Sequence, residues 1–326
     1  MSVRVGIGGW TFEPWRGVFY PEGLPHAREL EHAGRQLKTI EINGTFYRTP
    51  SAKSCADWAR QVPDGFVFAL KATRYVTNRR VLAEAGESTA KFIASGIVEM
   101  GDRLGPINWQ FAATKAFDPD DFDAFLALLP EAHEGVRLRH AVEVRHPTFA
   151  TAEFVARARR HNVAIVFADH GSYPAIADLT ADFTYARLQQ GREEVETGYD
   201  AGEIDRWARA ARDWAAGRVP DGLKVAEARE AGNDTGMPAA KAPKGKAKAA
   251  AKSEAGTKPE AGAKPGAKAG TKAGIKPGAE AGTKAEATTT AKAGPAARDV
   301  FIYLINGAKV RAPAGAMALQ ARIDAG

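Results

Sequence analysis

Residues 39–51 read TIEINGTFYRTPS. Thr39–Ile42 is short and mostly apolar, and it lies between two segments of helical period, Ala27–Gln36 and Ala52–Gln61. A short apolar run between helices is the unit of a parallel sheet covered on both faces. Glu41 breaks the pattern: a carboxylate inside such a strand is disfavoured by desolvation and needs a partner. The stretch HAVEVRHPTF at 140–149 repeats the theme, with Glu143 between Val142 and Val144 and with Arg145 and His146 following at once.

Working outward, strands are expected at Val3–Gly8, Thr39–Ile42, Phe66–Lys71, Ile107–Phe111, His140–Val144, Ala164–Ala168, Phe183–Leu188 and Val300–Ile305. Further helices are expected at Ser88–Met100, Pro119–Leu129, Ala152–His161 and Ala201–Ala216, with Asp118 and Thr151 in capping positions. Eight such units in a chain of 326 residues point to an α/β fold, a closed (β/α)8 TIM barrel, with the doubly wound open sheet as the rival.

One region departs from this alternation. From 236 to 296 the chain is almost wholly Ala, Lys, Gly, Pro, Thr and Glu, a composition that buries no core. Gly and Pro recur too often for a helix to nucleate. A long disordered insertion before the last strand is expected, leaving 1–235 and 297–326 as a single barrel domain. The insertion holds twelve Lys and four Glu, so of the overall charge of +6 it carries +8 and the rest of the chain −2. The pI near 9.3 therefore describes the insertion rather than the barrel.

The lone cysteine, Cys55, allows no disulfide within the chain and fits a reducing cytoplasm. The N-terminus runs straight into a strand without the pattern of a signal peptide, and no apolar run is long enough for a membrane span. The glycines of GIGGW are followed by Trp10 and Thr11 and so fail the dinucleotide fingerprint; no phosphate-loop or GxSxG signature occurs.

In a parallel barrel, functional groups collect at the C-terminal strand ends. Those ends hold Glu41 and Asn43, then Lys71, Gln110, Glu143 with Arg145 and His146, Asp169 with His170, Arg187 with Gln189, and Asn306. Lys71, Arg145 and Arg187 are the cations available to Glu41 and Glu143. Two readings follow: buried ion pairs that tie neighbouring strands, Glu41 to Lys71 and Glu143 to an arginine, or a ring that holds a small polar or anionic ligand. In the second, Glu41 or Glu143 would act as general acid or base, and Lys71 would stabilise a developing oxyanion. Trp10 and Tyr47 would supply an apolar wall for a ring-shaped ligand.

No metal site is assigned, because none of the seven histidines forms an HxH or HxxxH pair, and no cofactor is named. His146, preceding Pro147, has the alternative task of holding its turn. Two other functions remain open: non-specific nucleic-acid association through the lysines of 236–296, and a metal-dependent isomerase or nuclease at the same mouth.

These strand-end motifs resemble the YecE-like family, also called domain of unknown function 72. The resemblance is carried by GGWTFEPWRGVFYPEGLP, EINGTFYRTPS, FALK, AVEVRHPTF, FADH and FTYARLQ. It implies a (β/α)8 barrel and a shared site of Trp10, Glu41, Asn43, Tyr47, Lys71, Gln110, Glu143, Arg145, His146, Asp169 and Arg187, without supplying a reaction. The chain departs from the family pattern at Ala112–Ala113, where a QLPP-like turn is common, at Gln189, where a His is common, and at Ile305–Asn306–Gly307, where paired Asn residues are usual.

Overall fold

The computed structural model describes residues 2–226, 297–305 and 307–326; the expected insertion at 236–296 and the candidate ligand residue Asn306 lie outside the described residues. The strands are β1 (Val3–Gly8), β2 (Thr39–Ile42), β3 (Val67–Lys71), β4 (Leu104–Gln110), β5 (Ala132–His133), β6 (Val136–Arg137), β7 (His140–Glu143), β8 (Ala164–Ile165), β9 (Phe167–Asp169), β10 (Phe183–Leu188) and β11 (Asp299–Leu304). The α-helices are α1 (Glu29–Gln36), α2 (Ala52–Arg60), α3 (Arg74–Thr77), α4 (Gly86–Ile93), α5 (Pro119–Ala127), α6 (Ala152–Arg160), α7 (Ala201–Ala215) and α8 (Ala312–Asp324).

Nine strands form one sheet in the order β8-β7-β4-β3-β2-β1-β11-β10-β9, with every neighbouring pair parallel. Its two ends, β8 and β9, are consecutive pieces of one chain pass interrupted only at Val166, so the sheet closes on itself as an eight-pass barrel. The Val166 amide bonds to the Val142 carbonyl at 3.0 Å and carries the seam across the interruption. The open-sheet alternative is thereby overturned. β5 and β6 form a separate small hairpin.

Alternation along each strand divides the core in two. One face of the strands packs under the helices, where Trp109, Phe111, Phe122, Phe125, Phe149 and Phe154 meet edge to face. The other face fills the lumen with Val67, Ala69, Ala141, Ala164, Val166, Phe183, Tyr185, Phe301 and Tyr303. β1 contributes no side chain there at Gly6, and the Tyr303 hydroxyl lies 2.8 Å from Thr39 Oγ1 on β2. At the N-terminal end the Arg139 guanidinium sits 4.9 Å from the Phe301 ring centre and 3.1 Å from Asp299, closing the floor.

The capping residues act as expected: the side chains of Asp118 and Thr151 accept from the amides of Asp121 and Phe154 at 3.1 and 3.2 Å. The helix expected over Ser88–Met100 instead ends at Ile93, because Gly96 turns left-handed (φ 95°) where a Cβ would fall 2.4 Å from that of Ala52. Helices α3 and α8 and the hairpin were not anticipated.

His140, on the helix-facing side of β7, accepts from Trp109 Nε1 at 3.1 Å through Nδ1, which leaves Nε2 to donate to the Pro130 carbonyl at 2.8 Å. Burial holds the imidazole neutral, down at about 4, against a weaker upward pull from the Pro130 carbonyl. A buried His that resists protonation stabilises the fold fully above its unfolded value near 6.5, and that contribution falls as pH drops from 6.5 toward about 4. The shift corresponds to about 3 kcal/mol. Urea unfolding of His140→Gln is therefore expected to show a flatter pH dependence than the parent across that window; parallel curves would refute the assignment.

Candidate functional site

The C-terminal mouth is built from lumen-facing residues at the ends of the strands, with Tyr185 at its base. β2 supplies Glu41, β3 Lys71, β4 Asn108 and Gln110, β7 Glu143, and β10 Tyr185 and Arg187. Glu41 and Glu143 are fully buried, and Arg187 is 2% exposed. The Arg187 fork crosses the lumen: Nη2 donates to Glu41 at 3.0 Å, and Nη1 to Glu143 at 2.5 Å and to Gln110 Oε1 at 3.1 Å. A planar guanidinium can satisfy two carboxylates at once where a single ammonium could not.

Each carboxylate has further donors. Tyr185 Oη donates to Glu41, and Asn108 Nδ2 reaches Glu41 at 3.5 Å and Glu143 at 3.3 Å. Arg145 clamps the outer oxygen of Glu143 through Nε at 2.8 Å and Nη2 at 2.7 Å. Burial alone would push the Glu143 carboxyl up, but the guanidiniums of Arg187 and Arg145 outweigh it and hold the group at about 2. Burial, with the charge of Glu41 beside it, raises the Tyr185 phenol well above its ordinary value, so it stays a donor.

Lys71 is different. Its ammonium lies 4.5 Å from the Phe46 ring centre, and among the described residues it makes no hydrogen bond and meets no carboxylate within 4 Å. Burial lowers its pKa first, repulsion from Arg187 adds to this, and the more distant Glu41 and Glu143 pull the other way. The rim continues through Arg145, whose guanidinium lies 4.7 Å from the Tyr173 ring, and through Tyr173, stacked on His170 at 3.8 Å.

A family model described as "Protein of unknown function DUF72" matches residues 4–254. The chain belongs to the DUF72 family. Among solved structures, this DUF72 chain is similar to a DUF72 family protein from Thermotoga maritima MSB8, with 19% identity, a TM-score of 0.62, and coverage of 99% of this chain and 100% of the other. It is also similar to a DUF72 family protein from Enterococcus faecalis V583, with 13% identity, a TM-score of 0.57, and coverage of 99% and 97%. At these identities the likeness speaks for the fold. No curated protein matches the sequence.

Within this DUF72 barrel, Glu41, Gln110, Glu143, Arg145 and Arg187 come together in one hydrogen-bonded cluster, with Lys71 beside it. In place of the Glu41–Lys71 pair that one of the two readings offered, Glu41 takes its bond from Arg187, which reaches across the barrel from β10. Asn43 lies over the start of the mouth, its Nδ2 2.8 Å from where a Cβ on Gly8 would stand.

Other candidates sit elsewhere. Trp10 packs on Trp58 and Phe68, in the layer between strands and helices, so it is not a wall of the polar cluster. His146 Nδ1 accepts from the Thr148 amide at 3.3 Å and holds the turn before α6, the task that Pro147 suggested. Asp169 accepts from Gln190 Nε2 at 2.5 Å at the rim, its carboxyl raised by burial despite that bond. Tyr47 stands at the outer edge, 45% exposed.

Sequence reading missed Asn108, Tyr185 and Tyr173. The first two carry a signal in hindsight: each lies two residues before a chosen strand-end residue, Gln110 and Arg187, and so on the same face. Tyr173 lies in a loop and carries none. Among the described residues no three His, Cys, Asp or Glu side chains converge as metal ligands, and no helix is long and apolar enough to cross a membrane.

Proposed function

We propose that the protein binds a small anion-bearing ligand at the C-terminal mouth of its barrel, with Lys71 as the charged contact and the group that moves a proton. The observation that carries this reading is the half-buried Lys71 ammonium, without a carboxylate partner among the described residues, in a cluster where Lys71, Arg145 and Arg187 outnumber Glu41 and Glu143. A partly buried cation left unneutralised costs folding free energy, and an anion supplied from solution would recover some of it. Glu143, held ionised by two guanidiniums, is a poor proton carrier near neutrality; its part is to fix Arg187 and Arg145. Lys71, with its lowered pKa, is better matched to acid-base work. The setting proposed is the cytoplasm, consistent with the single buried Cys55.

The test is a thermal-shift titration of the full chain with inorganic phosphate, run beside Lys71→Met and Lys71→Arg. Phosphate is expected to raise the melting temperature of the parent by mass action, to leave Lys71→Met unmoved, and to act partially on Lys71→Arg. The effect requires the ammonium, so it is full below the folded pKa of Lys71 and fades as pH rises through it. Without ligand, Lys71→Met should melt at or above the parent temperature, because a cation disfavoured by burial has been removed. Equal phosphate stabilisation of Lys71→Met and the parent would remove Lys71 from the site.

A further inference from the structure

From Lys71 a row of alternating cations and rings runs outward along the loops after β2 and β3. Lys71 Nζ lies 4.5 Å from the Phe46 ring centre, and Phe46 meets Tyr47 edge-on at 5.1 Å. The Arg74 guanidinium follows, 5.9 Å from Tyr47 and 5.7 Å from Tyr75. Burial falls along the row: Lys71 and Phe46 are half-buried, whereas Tyr47 is 45% and Tyr75 61% exposed, two of the four large apolar or aromatic side chains left most open among the described residues.

The local sequence explains the charge. Residues 74–80 read RYVTNRR, three Arg and no acid, and Arg48 is exposed one residue beyond Tyr47. Arg79 is occupied, donating to the Tyr75 carbonyl at 3.2 Å and to Ser88 Oγ at 3.0 Å. Arg74 is exposed, and among the described residues its guanidinium has ring contacts and no carboxylate within 4 Å.

A tyrosine ring that faces solvent offers a π-face on which a flat partner can stack, and a guanidinium beside it adds attraction for a π-system that also carries negative charge. A free sugar offers no such face, and a simple inorganic anion uses none of the row beyond Lys71. A molecule with a phosphate at one end and a planar base at the other matches both ends, by the stacking-plus-cation logic that proteins use for nucleotides.

We infer that the ligand of this mouth is a nucleoside phosphate, its phosphate drawn to Lys71 and its base laid on Tyr47 beside the Arg74 guanidinium, with Tyr75 backing that guanidinium. The inference rests on the reading of Lys71 as an anion contact and adds the class of molecule that carries the anion. The base is held by faces rather than by edge-on hydrogen bonds, so discrimination among bases is weak.

The experiment is isothermal titration of the full chain at physiological salt with three probes: inorganic phosphate, ribose 5-phosphate and adenosine 5′-monophosphate. Each is run against the parent, Lys71→Met, Tyr47→Ala, Tyr47→Phe and Arg74→Ala. The monophosphate is expected to bind at least about tenfold more tightly than ribose 5-phosphate, a gap set by one stacked base. Tyr47→Ala should close that gap while ribose 5-phosphate affinity stays unchanged, Tyr47→Phe should keep it, and Arg74→Ala should narrow it; Lys71→Met should weaken both ligands. Equal affinity for the two, with both lost in Lys71→Met, overturns the nucleotide assignment and leaves the anion site standing. Absence of any Lys71-dependent binding among the three probes overturns both. Monophosphate binding that is indifferent to Lys71, Tyr47 and Arg74 places the nucleotide elsewhere and also overturns the inference.

Discussion

Arg187→Met is expected to destabilise the barrel by about 3–5 kcal/mol, the range for removing one partner from a buried charge cluster. In a chain of this size that lowers the melting temperature by roughly 10 °C. The cost follows from what the substitution leaves behind. Glu143 keeps Arg145 at 2.7 Å, but Glu41 loses its only ion-pair partner among the described residues and retains the Tyr185 hydroxyl and the Asn108 amide. Gln110 Oε1 loses its donor as well. Most of the penalty therefore belongs to one orphaned carboxylate, and the double variant Glu41→Gln/Arg187→Met should recover a large part of it. Urea unfolding of the parent, the single and the double variants decides the point. An Arg187→Met loss below about 1 kcal/mol, within the range of a pair open to water, would show that the cluster is hydrated rather than buried.

The same cluster sets an acid limb. The folded pKa of Glu143 is depressed to about 2, so its contribution to stability is present above the unfolded carboxyl value near 4.5 and is lost as pH falls from there toward about 2. His140 acts in the adjoining window, from 6.5 down to about 4. The two losses overlap only near their shared boundary, which makes them separable by variant.

The barrel was legible because each strand is a short apolar run between amphipathic helices, and that pattern is local. What escaped was set by distant parts of the chain. The sixth pass breaks at Val166, yet nothing in AIVFAD marks the break; it arises where β7 and β10 each pair with one half of the pass. The helix expected to reach Met100 ends early because Gly96 lies against Ala52, a contact between segments far apart in sequence. α8 hides in APAGAMALQARID, where alanine and glycine give the two faces little contrast. At the site, residue types and strand ends could be read, but partners could not. Lys71 lies on the strand next to Glu41 and was the natural local partner, whereas Arg187 is longer, forked and placed to span both carboxylates. Only the partners decide between the two readings of Lys71: with Arg187 on Glu41, the Lys71 charge is left for a ligand.

Gly6→Ala should cost more than any other single methyl in the barrel and should disturb the site as well as the fold. β1 lies between β11 and β2, with Gly6 paired to Tyr303 on one side and Thr39 on the other. A Cβ at Gly6 would stand 1.8 Å from the Thr39 carbonyl oxygen and 2.6 Å from its carbon. Those are backbone atoms held in the sheet, so no rotamer relieves the clash and β1 must part from β2. Destabilisation of about 4 kcal/mol or more is expected, the range reserved for overpacking that the backbone cannot absorb. Gly8→Ala, two residues on, provides the comparison. There the nearest atom is Asn43 Nδ2 at 2.8 Å, a side-chain amide that can swing away, so the loss should stay near 1 kcal/mol. The register carries the effect into the mouth, because Gly6↔Thr39 is followed by Gly8↔Glu41 on the same strand pair. Opening the first pairing withdraws Glu41 from the Arg187 fork, and phosphate stabilisation by way of Lys71 should then fail in whatever fraction of Gly6→Ala still folds, while persisting in Gly8→Ala. Comparable melting temperatures for the two alanine variants would mean that the β1–β2 seam is looser than its geometry states, and that the site does not depend on it.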